Sequence, residues 1–274
     1  MGTVNVFVNQ KGGVGKTTSA INIGAYLAQE GKTVLLVDFD SQANLSSGVG
    51  VKQPKPGIYE LLSGMATAEQ SIRKSAVKGL DVIPATIDLS GAAVELIEQE
   101  ERDFFLKKAL VPVKDNYDYI LIDCPPSLGL LTINGMAAAD TVLIPMQCEY
   151  FAMEGLTLLL QTIQRMQKGI NPQLTIGGIF FTMYDPRTRL AQDVVKQVSA
   201  YFKSVVFTTI IPRNVRLSEA PSNGMPISLY DPNCPGARAY RSLTQELLHR
   251  QPAHPAAFET NGLASAAKGE PNGA

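Results

Sequence analysis

Seven short apolar runs rich in β-branched residues recur along this chain, and longer stretches with helical spacing separate them. The runs are TVNVFV at 3–8, TVLLVD at 33–38, and the segments at 80–84, 118–123, 140–145, 174–182 and 205–211. Helical spacing follows in SAINIGAYLAQE and near 89–109, 129–138, 153–167, 190–203 and 236–249. A continuous apolar run reads as a strand buried on both faces. Strands alternating with helices predict a mostly parallel, twisted sheet with helices on both sides. The expected fold is therefore a single α/β domain over residues 1–250. Pro84, Pro125, Pro126, Pro145 and Pro212 mark strand ends, where α/β folds bind ligands. SSGVGVKQPKPGI at 46–58 reads as a surface loop. From 251 to 274 the chain is rich in Ala, Pro, Gly and Asn, which predicts a disordered tail.

Several function classes are excluded at this level. The only histidines are His249 and His254, so no His general base or His-containing triad is expected in the folded domain. Cys124, Cys148 and Cys234 are far apart and form no CxxC or Cys/His cluster, which suggests neither a disulfide framework nor a zinc site. Reduced thiols point to a cytoplasmic protein. No run of 18 apolar residues suggests a membrane span, and TVNVFV stands where a basic leader would precede a secretory signal. The net charge of −1 hides an asymmetry. Residues 165–250 hold eleven Lys/Arg against five Asp/Glu, and the remainder is acidic. Such a bias suggests a surface for a polyanion.

Between the first run and the first helix stands NQKGGVGKTT, residues 9–18. Gly15, Lys16 and Thr17 supply the end of a GxxxxGK[ST] phosphate loop, while Gln10 occupies the position of its first glycine. Gly12, Gly13 and Gly15 allow backbone N–H groups to turn inward as an anion nest, and the following helix adds its positive dipole end. Lys16 is then placed for the β- and γ-phosphates, Thr17 for Mg²⁺ and Thr18 for the α-phosphate. YILIDCPPS offers Asp123 at a strand end as the carboxylate that holds the metal through its waters. VLLVDFDSQ offers Asp38 and Asp40. Of such a pair, one carboxylate lies near the metal waters and one polarises the attacking water. Asp38 is assigned to the metal and Asp40 to the water.

These segments resemble the ParA/MinD group of ATPases with a deviant phosphate-binding motif, and the ParA/Soj branch in particular. The resemblance runs through NQKGGVGKTT, VLLVDFDSQAN, YILIDCPPSLG, IPMQCEYFAMEGL, IPRNVRLSEAPS and ISLYDP, over roughly residues 3–248. Ser41 departs from the proline that often follows the second aspartate. The resemblance implies a P-loop ATPase that takes ATP and Mg²⁺ and forms an ATP-dependent sandwich homodimer. Lys11 matches the signature lysine that crosses to the partner's nucleotide, and so answers why the motif carries a second lysine. Pro212 and Asn214 match the adenine edge. Arg187 and Arg216 match positions that bind DNA without sequence preference, with Arg189, Arg213, Lys196 and Lys203 as further candidates.

The resemblance also implies a nucleoid-associated chromosome- or plasmid-partitioning role, with hydrolysis stimulated by a ParB-like partner. No helix-turn-helix segment stands ahead of NQKGGVGKTT, so operator recognition is not expected. The alternatives are a ParA relative that positions another cargo, whose biochemistry would be the same, and two more distant readings. A MinD-like membrane ATPase would need a basic amphipathic helix, which the segment after Gln251 does not supply. A protein like the nitrogenase iron protein would need two cluster-ligating cysteines at a dimer axis.

Overall fold

The structure is a computed structural model that describes residues 2–250; the expected tail at 251–274 lies outside the described residues. Seven strands form one sheet: β1 (Thr3–Phe7), β2 (Val34–Asp38), β3 (Arg73–Lys74), β4 (Leu80–Ile83), β5 (Tyr119–Asp123), β6 (Thr141–Gln147) and β7 (Thr175–Thr182). Their spatial order is β3-β4-β2-β5-β1-β6-β7. Every pairing is parallel except that of β3 with β4. The helices are α1 (Lys16–Gln29), α2 (Asn44–Gly48), α3 (Ile58–Leu62), α4 (Ala68–Ser71), α5 (Leu89–Glu95), α6 (Phe105–Leu110), α7 (Leu130–Ala138), α8 (Ala152–Gly169), α9 (Arg189–Phe202), α10 (Arg216–Ser222), α11 (Ile227–Tyr230) and α12 (Pro235–Leu248).

Strand parity divides the core in two. Val4, Val6, Leu35, Val37, Ile120 and Ile122 belong to a cluster shared with α3, α5, α6, α7, α8 and α9. Phe7, Val34, Leu36 and Leu121 face α1 and α12. Period two then puts Asp38 and Asp123, two residues beyond Leu36 and Leu121, on the α1 side. The strand β1 sits between β5 and β6, where the order reverses, so its C-terminal end opens into the switch-point crevice.

Three expectations need correction. The run at 205–211 is not a regular strand: only isolated bridges join Ile179 to Val206 and Tyr184 to Pro212. Phe207 and Ile211 donate to β7, but Thr208 and Thr209 donate to the Glu246 carboxylate instead, which pulls the middle of the segment off the ladder. The helix expected over 89–109 breaks between α5 and α6. After Leu96 the segment IEQEE has a single apolar residue, Ile97, which stays 49% exposed, and Glu101 turns left-handed at φ 54°. The loop at 46–58 is not all surface: Ser46, Gly48 and Val49 are buried where α2 ends. No helix among the described residues is long and apolar enough to cross a membrane.

Candidate active site

The chain leaves β1 and turns through the glycine loop into α1. Gly13 and Gly15 have φ of 74° and 85°, a region that strains any residue with a Cβ. Around Gly13 there is open space, so conformation and not crowding requires glycine there. The loop is held from behind. Thr182, the last residue of β7, donates its hydroxyl to the Val14 carbonyl at 2.8 Å, and Gln147 Nε2 donates to the Gly13 carbonyl at 3.1 Å. With carbonyls tied outward, the N–H groups of the turn are left for an anion.

Lys16 opens α1 and is 6% exposed, with Nζ donating to the Lys11 carbonyl at 3.3 Å. Burial lowers its pKa from the ordinary lysine value, and the charges of Asp123, Cys124 and Asp40 pull the other way. Asp38 and Asp123 are register partners on adjacent strands and are 0% and 1% exposed. Both carboxylate oxygens of Asp123 lack a hydrogen-bond partner. Its carboxyl is pushed up to about 8, first by burial and then by the charge of Asp38, while nearby Thr17 and Lys16 oppose the shift. The Thr17 hydroxyl faces it but falls short of hydrogen-bond geometry. Asp38 is pushed up to about 6 by burial, against the hydrogen bonds it accepts from Ser46 and Asp40. Two buried carboxylates that repel each other, one wholly unpaired, beside a hydroxyl and an ammonium, fit a hydrated divalent cation next to a polyphosphate.

Asp40 follows β2 and is half-buried; its Oδ1 accepts from Gln42 N at 3.0 Å. Gly12 and Lys11 are exposed, while Thr17 and Thr18 are half-buried at the start of α1. Lys11 is ion-paired with Glu149, whose side chain is as exposed as its own. Tyr150 and Phe151 follow Glu149 and are 75% and 70% exposed. A cavity of about 290 Å³ opens beside the glycine loop, between Lys11, Val14, Glu149 and Phe151.

Pro212 bridges to Tyr184, two residues past Thr182, so the candidate adenine edge is tethered to the strand that supports the glycine loop. The Asn214 carboxamide oxygen accepts from Arg216 N at 2.9 Å and so caps the turn into α10. Arg187 forks onto Asp185, Nε to Oδ1 at 2.9 Å and Nη2 to Oδ2 at 2.6 Å, and holds that carboxyl down to about 2. Arg216 meets Glu219 at 2.8 Å and Asp231 at 3.5 Å. Arg189, Arg213, Lys196 and Lys203 lie on the same stretch of chain, and all four are exposed.

The residues that sequence reasoning missed are the supports: Thr182, Gln147, Glu149 and Ser46. Glu149 and Gln147 lie in IPMQCEYFAMEGL, but nothing in that segment announces that they reach the glycine loop from over 130 positions away. Cys124 is buried and its Sγ lies where a side chain on Gly135 of α7 would stand. A thiol packed under a helix cannot serve a cluster shared between two subunits at their surfaces.

A glycine loop between strand and helix, a buried lysine at its end and an unpaired strand-end aspartate together define a P-loop nucleotide-binding protein of the parallel α/β class. Residues 2–176 match the family model of an AAA domain. The chain is 64% identical over 250 residues to the chromosome-partitioning ATPase Soj of Treponema pallidum, covering 91% of this chain and 98% of that protein. It is 53% identical over 249 residues to the sporulation initiation inhibitor protein Soj of Bacillus subtilis, covering 90% and 98%. A solved structure of cobyrinic acid a,c-diamide synthase from Mycobacterium smegmatis, with bound ADP and magnesium, superposes with a TM-score of 0.79 at 36% identity, covering 90% of this chain and 94% of that one. The chain belongs to the Soj/ParA family of chromosome-partitioning ATPases.

Proposed function

We propose that this protein hydrolyses ATP with Mg²⁺ to partition a chromosome or plasmid. In this reading ATP drives a sandwich homodimer, the dimer binds DNA without sequence preference, and a ParB-like partner stimulates hydrolysis and release. The observation that carries the nucleotide site is Asp123: a buried carboxylate with both oxygens unpaired, facing Thr17 and Lys16 at the mouth of the glycine loop. Such a group is costly to keep unless a ligand completes it.

Each residue then has a role. Gly12, Gly13 and Gly15 present N–H groups to the phosphates, and Lys16 neutralises the β- and γ-oxygens. Thr18 hydrogen-bonds the α-phosphate. Thr17, and Asp123 through water, would hold the metal, with Asp38 adding negative charge beside it. The metal supplies charge neutralisation on the terminal phosphates. Asp40 orients the attacking water. Pro212 and Asn214 border the base.

Lys11 crosses to the partner's nucleotide, where it does what an arginine finger does in related enzymes. Its exposure, and its pairing with an equally exposed Glu149 beside Tyr150 and Phe151, support this, since a phosphate can displace a solvent-facing carboxylate at little cost. Arg187 and Arg216 meet DNA phosphates, which need charge but no base-reading geometry. The helix α10, which carries Arg216, also packs against α2, which follows Asp40. Just beyond the two helices, a Cβ on Gly224 would come within 2.9 Å of Gly50 Cα. That close approach offers a short path between the hydrolytic loop and the arginine.

The test is binding to a random-sequence duplex with ATP, ADP or no nucleotide across a salt series. ATP-dependent, salt-sensitive, sequence-indifferent binding is expected. ATP-driven dimers that ignore duplex at low salt would move the search to lipid vesicles and protein scaffolds.

A further inference from the structure

Asp38 and Asp123 stand side by side but are satisfied in opposite ways. The Asp123 carboxylate accepts no hydrogen bond. Asp38 Oδ2 accepts two from one residue, Ser46 N at 2.8 Å and Ser46 Oγ at 2.6 Å, and its Oδ1 accepts from Asp40 N at 3.3 Å. The Ser46 hydroxyl is occupied on its other side as well, accepting from Ala85 N at 3.0 Å in the turn after β4. Ser46 is 3% exposed and Ala85 is 1% exposed, so bulk water does not compete for these bonds.

The loop from 38 to 46 is therefore closed on itself. One end is the strand-end carboxylate, and the far end returns to it through Ser46. Asp40 sits inside this closed loop, and its Oδ1 meets the local Gln42 N–H and no buried group. Its position toward the glycine loop is thus inherited from the loop that carries it. Among the described residues, Ser46 supplies the one side-chain donor to Asp38, and it also ties the loop to the neighbouring strand.

We propose that Ser46 is a positioning residue for hydrolysis. By locking Asp38 to the β4 turn, it holds the Asp40 loop in the geometry that orients the attacking water. The proposal rests on the reading of Asp40 as the water-orienting group. It assigns the Ser46 hydroxyl to the chemical step and not to nucleotide affinity, which belongs to the glycine loop, Lys16 and Thr17. Removing the hydroxyl takes away a charge-assisted bond and leaves the Ala85 N–H unsatisfied; a bond of that kind is worth about a tenfold effect or more.

The experiment compares wild type, Ser46→Ala, Ser46→Thr, Asp40→Ala and the Ser46→Ala/Asp40→Ala double variant. It measures single-turnover ATP hydrolysis, binding of a fluorescent ATP analogue with Mg²⁺, and Tm. Ser46→Ala is expected to slow hydrolysis about tenfold or more while affinity for the analogue stays within about twofold. Ser46→Thr, which keeps the Oγ donor, restores most of the rate. On the Asp40→Ala background the Ser46 change has no further effect, because both act through one group.

Unchanged hydrolysis in Ser46→Ala, or parallel losses of rate, affinity and Tm, overturns the proposal. So does an effect that adds fully to that of Asp40→Ala. If Asp40→Ala itself hydrolyses at the wild-type rate, the Asp40 reading falls and takes the proposal with it, an outcome distinct from the others. Should Ser46→Ala melt below the assay temperature, Ser46→Cys keeps the volume with a weak donor and is judged by the same criteria.

Discussion

Lys16, Asp38 and Asp123 are 6%, 0% and 1% exposed, whereas the side chains of Arg187 and Arg216 are 87% and 54% exposed. Both regions carry charge, but the physics differs. In the crevice the cost of desolvating the charges is met by the packing of the sheet and α1. The groups are therefore preorganised, and salt reaches them poorly. On the basic face each of the two arginines rests against a neighbouring carboxylate in water, where such a pair contributes little. On the proposed reading a duplex phosphate would replace those carboxylates, and added salt would replace the duplex. The contrast suits the proposed function, in which the nucleotide is held firmly while the grip on a polyanion stays reversible.

The sharpest way to break the comparison is inside the crevice. Lys16→Ala should weaken nucleotide binding by about 100-fold or more, since it removes the buried cation from the phosphates; titration with a fluorescent ATP analogue checks this, and retained affinity would remove Lys16 from the site. Asp40→Ala should slow hydrolysis by about 100-fold while ATP-bound dimers persist on a sizing column. Normal turnover would take Asp40 out of the mechanism.

On the exposed face, Arg216→Ala should cost about tenfold in duplex affinity and flatten the salt dependence by about one unit of slope, the share of one phosphate, with ATP-dependent dimerisation intact. Loss of dimerisation as well would make its role structural.

The two acids give a pH signature that the arginines do not share. Their folded pKa values of about 6 and about 8 lie above the unfolded value, so the native state binds more protons between about pH 4 and about pH 8. Stability of the metal-free protein should then fall as pH rises through that window, by several degrees in Tm, and Mg²⁺ with nucleotide should abolish the trend. A melting series at fixed ionic strength measures it; a flat metal-free profile would mean the carboxylates are solvated.

The smallest effect concerns the pairing on the face itself. Asp185→Asn should raise duplex affinity about twofold to threefold by freeing Arg187. Asp193→Asn, an equally large charge change at an exposed acid on α9, is the control. Equal gains from both would show that only net charge matters.

Much of the crevice was legible from residues alone, because its chemistry is local. NQKGGVGKTT carries the glycine turn, the lysine and the threonines in one stretch, and the backbone at Gly13 and Gly15 obeys the turn that the spacing demands. Asp38 and Asp123 were legible as strand ends because period two fixes their face. The run at 205–211 was misread because apolar composition reports burial and not pairing, and Glu246, distant in sequence, took the N–H groups of Thr208 and Thr209. Ser46 was read as loop because a serine among glycines has no local sign of burial.

What the sequence by itself determined is the α/β alternation of most strands and helices, the anion-binding turn and the identity of its charged groups, since propensity, periodicity and side-chain chemistry act over a few residues. The tertiary structure decided which carboxylate is left unpaired and which is locked. It also decided that Lys11 rests on Glu149 and that Thr182 braces the glycine loop. These depend on strand order and register, which bring together atoms up to 168 residues apart, and burial then sets the strength of every charge so placed.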